Sequence, residues 1–190
     1  MRPGTILLYR GKEWLGNAID FFESGEFCHV GLVYTEEKII RQNPGGPGFE
    51  LFKDAPWDSI VCGEINLMDY PGKPVHVPFY PQSDPEFFVE FQKACARHMG
   101  DTYDYSAIAN FARQGKLKKF GLGFLANIAR KIQIPFFTYR RNVCSSWAAI
   151  VIQETIRNAY NWQSFRFDPS IPESQERPCD IRTSPVFKLI

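Results

Sequence analysis

The sequence predicts a single α+β domain, and three observations support this prediction. Patterns typical of β-strands predominate in the first part of the chain, whereas patterns typical of helices predominate from residue 84. No internal repeat, low-complexity tract or Ser/Gly-rich linker divides the 190 residues, so we expect one domain spanning residues 1–190. A hydrophobic content of 44% with 23% charged residues excludes a disordered chain.

The strand signals of the first part are short apolar runs separated by polar, Gly-rich or Pro-rich turns. One helical pattern interrupts them, with apolar residues at i, i+3, i+4 and i+7. The predicted elements, in order, are a strand Thr5–Arg10, the helix carrying Leu15, Ala18, Ile19 and Phe22, a hairpin of His29–Tyr34 with Ile39–Gln42, a loop over Asn43–Gly48, and strands at Ser59–Asn66 and Val75–Phe79.

Helix signals organise the second part of the chain. Asp84 suits a helix N-cap, Pro85 suits the first helical position, and Gly100 suits the end. The apolar residues between them recur at helical spacing and predict one buried face. Further helices are predicted at about 105–114, 117–132 and 144–160, and the apolar tail 186–190 is expected to return over the body of the domain.

Composition excludes several classes of protein. The net charge of +1 argues against a surface committed to nucleic acid. The five cysteines include no Cys-x-x-Cys pair, so we expect no disulfide framework, no metal site and no cofactor. No apolar run approaches the length of a membrane helix, and the first residues lack the apolar core of a signal peptide, so a cytoplasmic protein is expected.

Cys144 is the candidate nucleophile. It lies where the last long helix should begin, after Asn142, which is a good N-cap residue. In the first turn of a helix a thiol is close to unpaired N–H groups and to the positive end of the helix dipole, and both favour the thiolate. The alternative interpretation is that Cys144 is a small buried hydrophobic residue.

His29 is the candidate base, because it begins a rigid strand. A turn centred between residues 36 and 37 would place Gly31 opposite Gln42, and residues two apart on a strand share a face. Gln42 would then point the same way as His29 and could hold the imidazole by a hydrogen bond. The alternatives for this third position are Arg41 and Glu50. His98 is expected to be a satisfied core residue.

Five short motifs follow one another along nearly the whole chain: Gly4-Thr5-Ile6, His29-Val30-Gly31-Leu32-Val33, Gly100-Asp101-Thr102-Tyr103-Asp104-Tyr105, Cys144-Ser145-Ser146, and the tail Pro178 to Phe187. Together they resemble the circularly permuted papain-like amidases, the YiiX and YaeF branch of the NlpC superfamily. The chain departs from the family's pattern at three positions, with Ser146, Thr5 and Gln42 where acidic residues, or at the last a histidine, are common.

The resemblance implies a papain-like core in which a small antiparallel sheet packs against the helix that carries the nucleophilic cysteine. It assigns the nucleophile to Cys144, the base to His29 and the third polar role to Gln42. Tyr103, by its motif, is expected beside the nucleophile, where it would help bind the substrate.

The predicted activity is that of a cysteine hydrolase which cleaves an amide or ester bond through a thioester, on a cell-wall peptide, another peptide or a lipid acyl substrate. One alternative is an acyltransferase similar to lecithin retinol acyltransferase. Another is a non-catalytic binding module on the same scaffold. No nucleic-acid partner is expected.

A basic, apolar-rich stretch at about 106–139 contains no acidic residue and precedes the nucleophile. Its pattern is typical of a basic amphipathic helical insert. Such an insert could contact an anionic membrane surface, or it could be a solvated helical face over an ordinary core.

Overall fold

The computed structural model describes residues 1–10, 26–43, 45–103, 141–142, 144–167 and 178–190. Several predicted elements lie outside the described residues: the helices at 15–22, 105–114 and 117–132, and the basic stretch 106–139. The described helices and strands are β1 (Ile6–Arg10), β2 (Phe27–Val33), β3 (Lys38–Asn43), β4 (Gly46–Leu51), β5 (Ile60–Ile65), α1 (Pro85–His98), β6 (Thr102–Tyr103), β7 (Arg141–Asn142), α2 (Cys144–Ala159), α3 (Pro178–Thr183) and β8 (Phe187–Leu189).

Six of the strands form one antiparallel sheet in the order β4-β3-β2-β1-β5-β8. The amino-terminal strand β1 lies inside the sheet between β2 and β5, and the tail strand β8 pairs with β5 at one edge. This sheet and the long helices confirm the predicted α+β class. The return of the tail over the domain is also confirmed.

The sheet has two different faces. One face packs against α1 and α2, and its strand residues join the helix side chains in the main core; they are Ile6, Leu8, Phe27, Val30, Leu32, Ile40 and Ile65. The other face is covered by the segment 52–59, in which Phe52 and Trp57 pack on a smaller cluster; its buried members are Leu7, Tyr9, Val33, Ile39 and Ala55. Because successive strand residues alternate between faces, the side of each candidate site residue follows from its position.

Helix α1 begins as the sequence predicts. Asp84 is the N-cap and accepts a hydrogen bond from the backbone N–H of Glu86 at 3.0 Å, and Pro85 occupies the first position. The helix ends at His98, two residues before Gly100. Helix α2 is anchored by Trp147, which is completely buried, as are most side chains along it. No helix in the described part of the chain is long and apolar enough to cross a membrane.

The predicted hairpin register is wrong by one residue. Gly31 pairs with Arg41 rather than with Gln42, and Val33 pairs with Ile39. The cause is the turn, which is centred on Glu36 and is one residue shorter than predicted. The carbonyl of Lys38 closes it by accepting from the N–H groups of both Tyr34 and Thr35.

Two other predictions about strands are corrected. The segment Asn43–Gly48, expected to be a loop, contributes the last residue of β3 and the first three residues of β4. Asn43 pairs with Gly46, and Pro47 is tolerated because β4 is an edge strand. Val75–Phe79 is not a strand: it consists of turns, and Val75 is fully exposed. Pro74 precedes this segment and Pro78 lies within it, and neither supplies an N–H for strand pairing.

Candidate functional site

Cys144 is the first residue of α2, as the sequence analysis expects. Its side chain is buried, with 4% exposure, and Ser145 and Ser146 beside it are buried as well. Asn142, predicted to be the N-cap, belongs instead to β7, which ends two residues before the helix begins. The placement of the sulfur in the first helical turn does not depend on this difference.

A short parallel strand pair leads directly into Cys144. Thr102 pairs with Arg141, and Tyr103 pairs with Asn142. The backbone of Tyr103 is therefore held opposite a residue only two positions before the cysteine. The backbone of Tyr103 thus lies close to Cys144 in the fold. A contact of its side chain with the nucleophile or the substrate stays a prediction.

His29 lies on β2 directly opposite Tyr9 of β1, and the two rings meet edge to face with centroids 5.5 Å apart. Its Nε2 atom is buried without a hydrogen-bond partner among the described residues. Burial, and to a smaller extent the charge of Arg41, lower the pKa of His29 to about 3. In this structure the imidazole is therefore neutral at physiological pH.

The faces of the sheet separate His29 from helix α2. The next residue, Val30, belongs to the core formed with α2, whereas Tyr9, which contacts the His29 ring, belongs to the smaller cluster on the other face. Neighbouring strand residues point to opposite sides, so the His29 ring is directed away from the face on which α2 packs. The structure does not bring this ring to the side of the sheet that carries the Cys144 helix.

The one-residue change of register also moves Gln42. It lies two residues after Ile40, on the face of α2, and not on the face of His29 as predicted. Gln42 is completely buried, and its Nε2 donates a hydrogen bond of 3.2 Å to the backbone carbonyl of Asp101. It therefore does not orient the imidazole.

The two alternatives for the third position do share the face of His29. Arg41 pairs directly with Gly31, and Glu50 pairs with Ile39 of the smaller cluster. The Arg41 Nη2 and Glu50 Oε2 atoms are 3.2 Å apart, and the guanidinium also stands 5.4 Å from the centre of the Tyr9 ring. Tyr9, in turn, has its pKa raised to about 12, mainly by burial.

His98 has hydrogen-bond partners, as predicted, but it is only partly buried and not a core residue, and its partners are charged. Its Nδ1 is 2.7 Å from Asp101 Oδ2 and its Nε2 is 2.7 Å from Glu154 Oε2, and Glu154 is also paired with Arg97. Sequence reasoning missed this cluster. The three-residue spacing of His98 and Asp101 was visible, but Glu154 lies 56 positions away, on another helix.

No family model matches the chain, and no curated protein matches it. Among solved structures, the chain is similar to the metalloprotein yiiX from Escherichia coli O157:H7, with 15% identity and a TM-score of 0.53; the match covers 100% of this chain and 96% of that one.

The name of that protein raises the question of a metal site. Among the residues that the structure describes, no group of three or more His, Cys, Asp or Glu is arranged to hold a metal ion. The His98 cluster does not fit, because its two carboxylates contact opposite nitrogens of one ring. From its topology and its structural neighbour, the chain has a YiiX-like α+β fold.

Proposed function

We propose that the protein is a cysteine hydrolase on a papain-like scaffold, with Cys144 as the nucleophile. The observation that supports this most directly is the position of Cys144 as the first residue of a long helix anchored in the core, within a YiiX-like fold. Two other cysteines that the structure describes are less suited to this role, because burial raises the pKa of Cys62 and raises that of Cys95 to about 12. Both are poor sources of thiolate at neutral pH.

The proposed reaction is acyl transfer to sulfur and then to water. The Cys144 thiolate attacks the carbonyl carbon of an amide or ester, and the tetrahedral intermediate expels the amine or alcohol, which takes up a proton, to leave a thioester. Water then attacks the thioester and releases the acid and the thiol. Backbone N–H groups in the first turn of a helix have no acceptor within that helix, so the start of α2 is suited to stabilise the oxyanion.

The base of the proposed reaction is His29, by resemblance to the family. A neutral imidazole is the form that accepts a proton from a thiol, and His29 is neutral. Its low pKa and its direction away from α2 count against the role. Separate variants of Cys144 and His29 are therefore needed to test the two roles.

A second candidate is a non-catalytic binding module. The observation that favours it is the packing of the His29 ring against Tyr9, on the face away from α2. In such a module Cys144 would be an inert buried thiol. This function predicts that Cys144 has the reactivity of an ordinary buried cysteine.

Alkylation by iodoacetamide across a range of pH, read by peptide mass spectrometry, separates the two functions. A hydrolase predicts that Cys144 reacts fast well below the free-thiol pKa of about 8.5, and faster than Cys62 and Cys95 in the same molecule. If Cys144 is no faster than these two, the hydrolase proposal fails. His29→Ala should slow the reaction of Cys144 if His29 is the base, whereas the control His76→Ala, at an exposed histidine, should not change it.

Turnover tests the chemistry itself. Chromogenic esters with acyl chains of several lengths, and peptide anilides, cover the lipid and peptide classes of substrate. Cys144→Ala should abolish hydrolysis while the circular dichroism spectrum is retained, and activity close to that of the unmodified protein would overturn the assignment. Products that retain the acyl group on an added amine or lipid, rather than as the free acid, would identify an acyltransferase.

A further inference from the structure

A connected set of polar contacts centres on Asp101, just ahead of β6. Gln42, from β3, donates to the Asp101 carbonyl, and His98, from the end of α1, contacts the Asp101 carboxylate. Asp101 is 4% exposed and Gln42 is completely buried. Hydrogen bonds to buried groups are costly to lose, because the remaining partner stays desolvated. Asp101 is thus held by the sheet through its backbone carbonyl and by α1 through its carboxylate.

The same set reaches the cysteine helix at two points. The His98 ring contacts Glu154 of α2 at 2.7 Å, and the indole N–H of Trp147 donates to the His98 carbonyl at 3.3 Å. Trp147 is three residues after Cys144 and completely buried. Helix α2 is therefore tied to the end of α1 both near its first turn and further along its length.

The contacts also reach Cys144 through the backbone. Asp101 is followed at once by Thr102 and Tyr103, which pair with the two residues of β7, and α2 begins two residues after β7. Contacts that hold Asp101 therefore hold the start of β6, the strand that pairs with the one leading to the cysteine. Small displacements of reacting groups reduce rates strongly, so this anchoring has a chemical consequence.

We infer that Gln42 and His98 are positioning residues, which hold the Asp101–Tyr103 segment against β7 and thereby set the reactivity of Cys144. This inference rests on the proposed function, because it concerns the same cysteine. It gives Gln42 a different role from the one predicted from the sequence: Gln42 acts on the backbone beside the cysteine, and not on His29. Neither residue touches the reacting sulfur in this role.

The chain offers a matched control for Gln42. Gln82 is also buried, and its Nε2 also donates to a backbone carbonyl, that of Gly4 at 3.4 Å. Both glutamines have an Oε1 atom without a partner among the described residues. The contact of Gln82 lies near the start of α1, however, whereas the contact of Gln42 with Asp101 lies just after its end. Gln42→Met and Gln82→Met therefore each remove one hydrogen bond from a buried glutamine to a backbone carbonyl, at opposite ends of the same helix.

The experiment compares alkylation rates of Cys144, normalised to those of Cys95, in the full chain. Gln42→Met should lower the Cys144 rate by at least about tenfold, whereas Gln82→Met should leave it unchanged at a similar melting temperature. Asp101→Ala should lower the rate as well. Asp101→Asn keeps an acceptor for His98 and should restore most of it, a rescue that a purely structural loss of stability would not produce.

Hydrogen exchange gives a second readout that does not depend on the thiol. Gln42→Met should reduce protection at residues 102–103 and 141–142 while protection in β1 and β2 is retained. A fast Cys144 in the unmodified protein with unchanged rates and protection in Gln42→Met would overturn this inference alone. A Cys144 no faster than Cys95 in the unmodified protein would overturn the proposed function and, with it, the effect on reactivity.

Discussion

Replacing His29 by glutamine tests whether the imidazole is buried in its neutral form. In the folded protein burial, assisted by Arg41, lowers the pKa of His29 to about 3. In an unfolded chain a histidine has a pKa of about 6.5. Between these two values the unfolded state binds a proton that the folded state does not. The stabilisation is therefore complete above the unfolded pKa, and it is lost as the pH falls towards the folded pKa.

The size of the effect follows from the two pKa values. Each pH unit below about 6.5 costs about 1.4 kcal/mol of unfolding free energy until the folded-state pKa is reached. From about pH 7.5 to about pH 5 the unmodified protein should lose about 2 kcal/mol more than His29→Gln, which has no group to titrate there. Arg41→Met should reduce this loss only in part, because burial is the larger cause of the shift.

Urea unfolding at the two pH values, followed by tryptophan fluorescence, measures these differences. His76→Gln is the matched control, because it makes the same substitution at an exposed histidine. Equal losses of unfolding free energy in the unmodified protein and in His29→Gln would refute the buried, neutral state of the ring. They would also contradict the direction assigned to the His29 side chain.

Two further predictions concern stability. Gly63→Ala should destabilise the protein by about 1–3 kcal/mol in urea unfolding, because an added Cβ would overlap the Phe187 ring; Gly45→Ala, where no atom is close, should have little effect. Asp84→Ala should cost about 1 kcal/mol by removing the N-cap acceptor of α1, whereas Asp84→Asn keeps an oxygen for the Glu86 N–H and should cost less; equal losses would contradict the capping role.

The elements that the sequence predicts well are those with a strong local signal. Asp84 and Pro85 mark the start of α1, and the apolar spacing after Cys144 marks α2. The strand β4 was missed because its Pro and Gly residues are typical of loops. They are acceptable in a strand only because β4 stands at the edge of the sheet, and an edge position is a property of the whole topology.

The composition of the site depends on features that local patterns do not contain. A turn after β2 that is one residue shorter than predicted places Gln42 on the opposite face from His29 and Arg41 on the His29 side. The contacts of Asp101 with Gln42, and of His98 with Glu154, join segments 59 and 56 residues apart. Only the packing of the helices on the sheet brings such residues together.

The pH dependence of stability and the reactivity of Cys144 together decide between the two proposed functions. A loss of unfolding free energy on acidification that disappears in His29→Gln would establish that the imidazole is buried in its neutral form. A fast Cys144 would then require another proton acceptor, and a slow one would favour the binding module. If the acid-dependent loss is absent, His29 is solvated or paired, and its ring can then approach the cysteine. In that case His29→Ala should slow alkylation of Cys144, and the two residues would form the predicted catalytic pair.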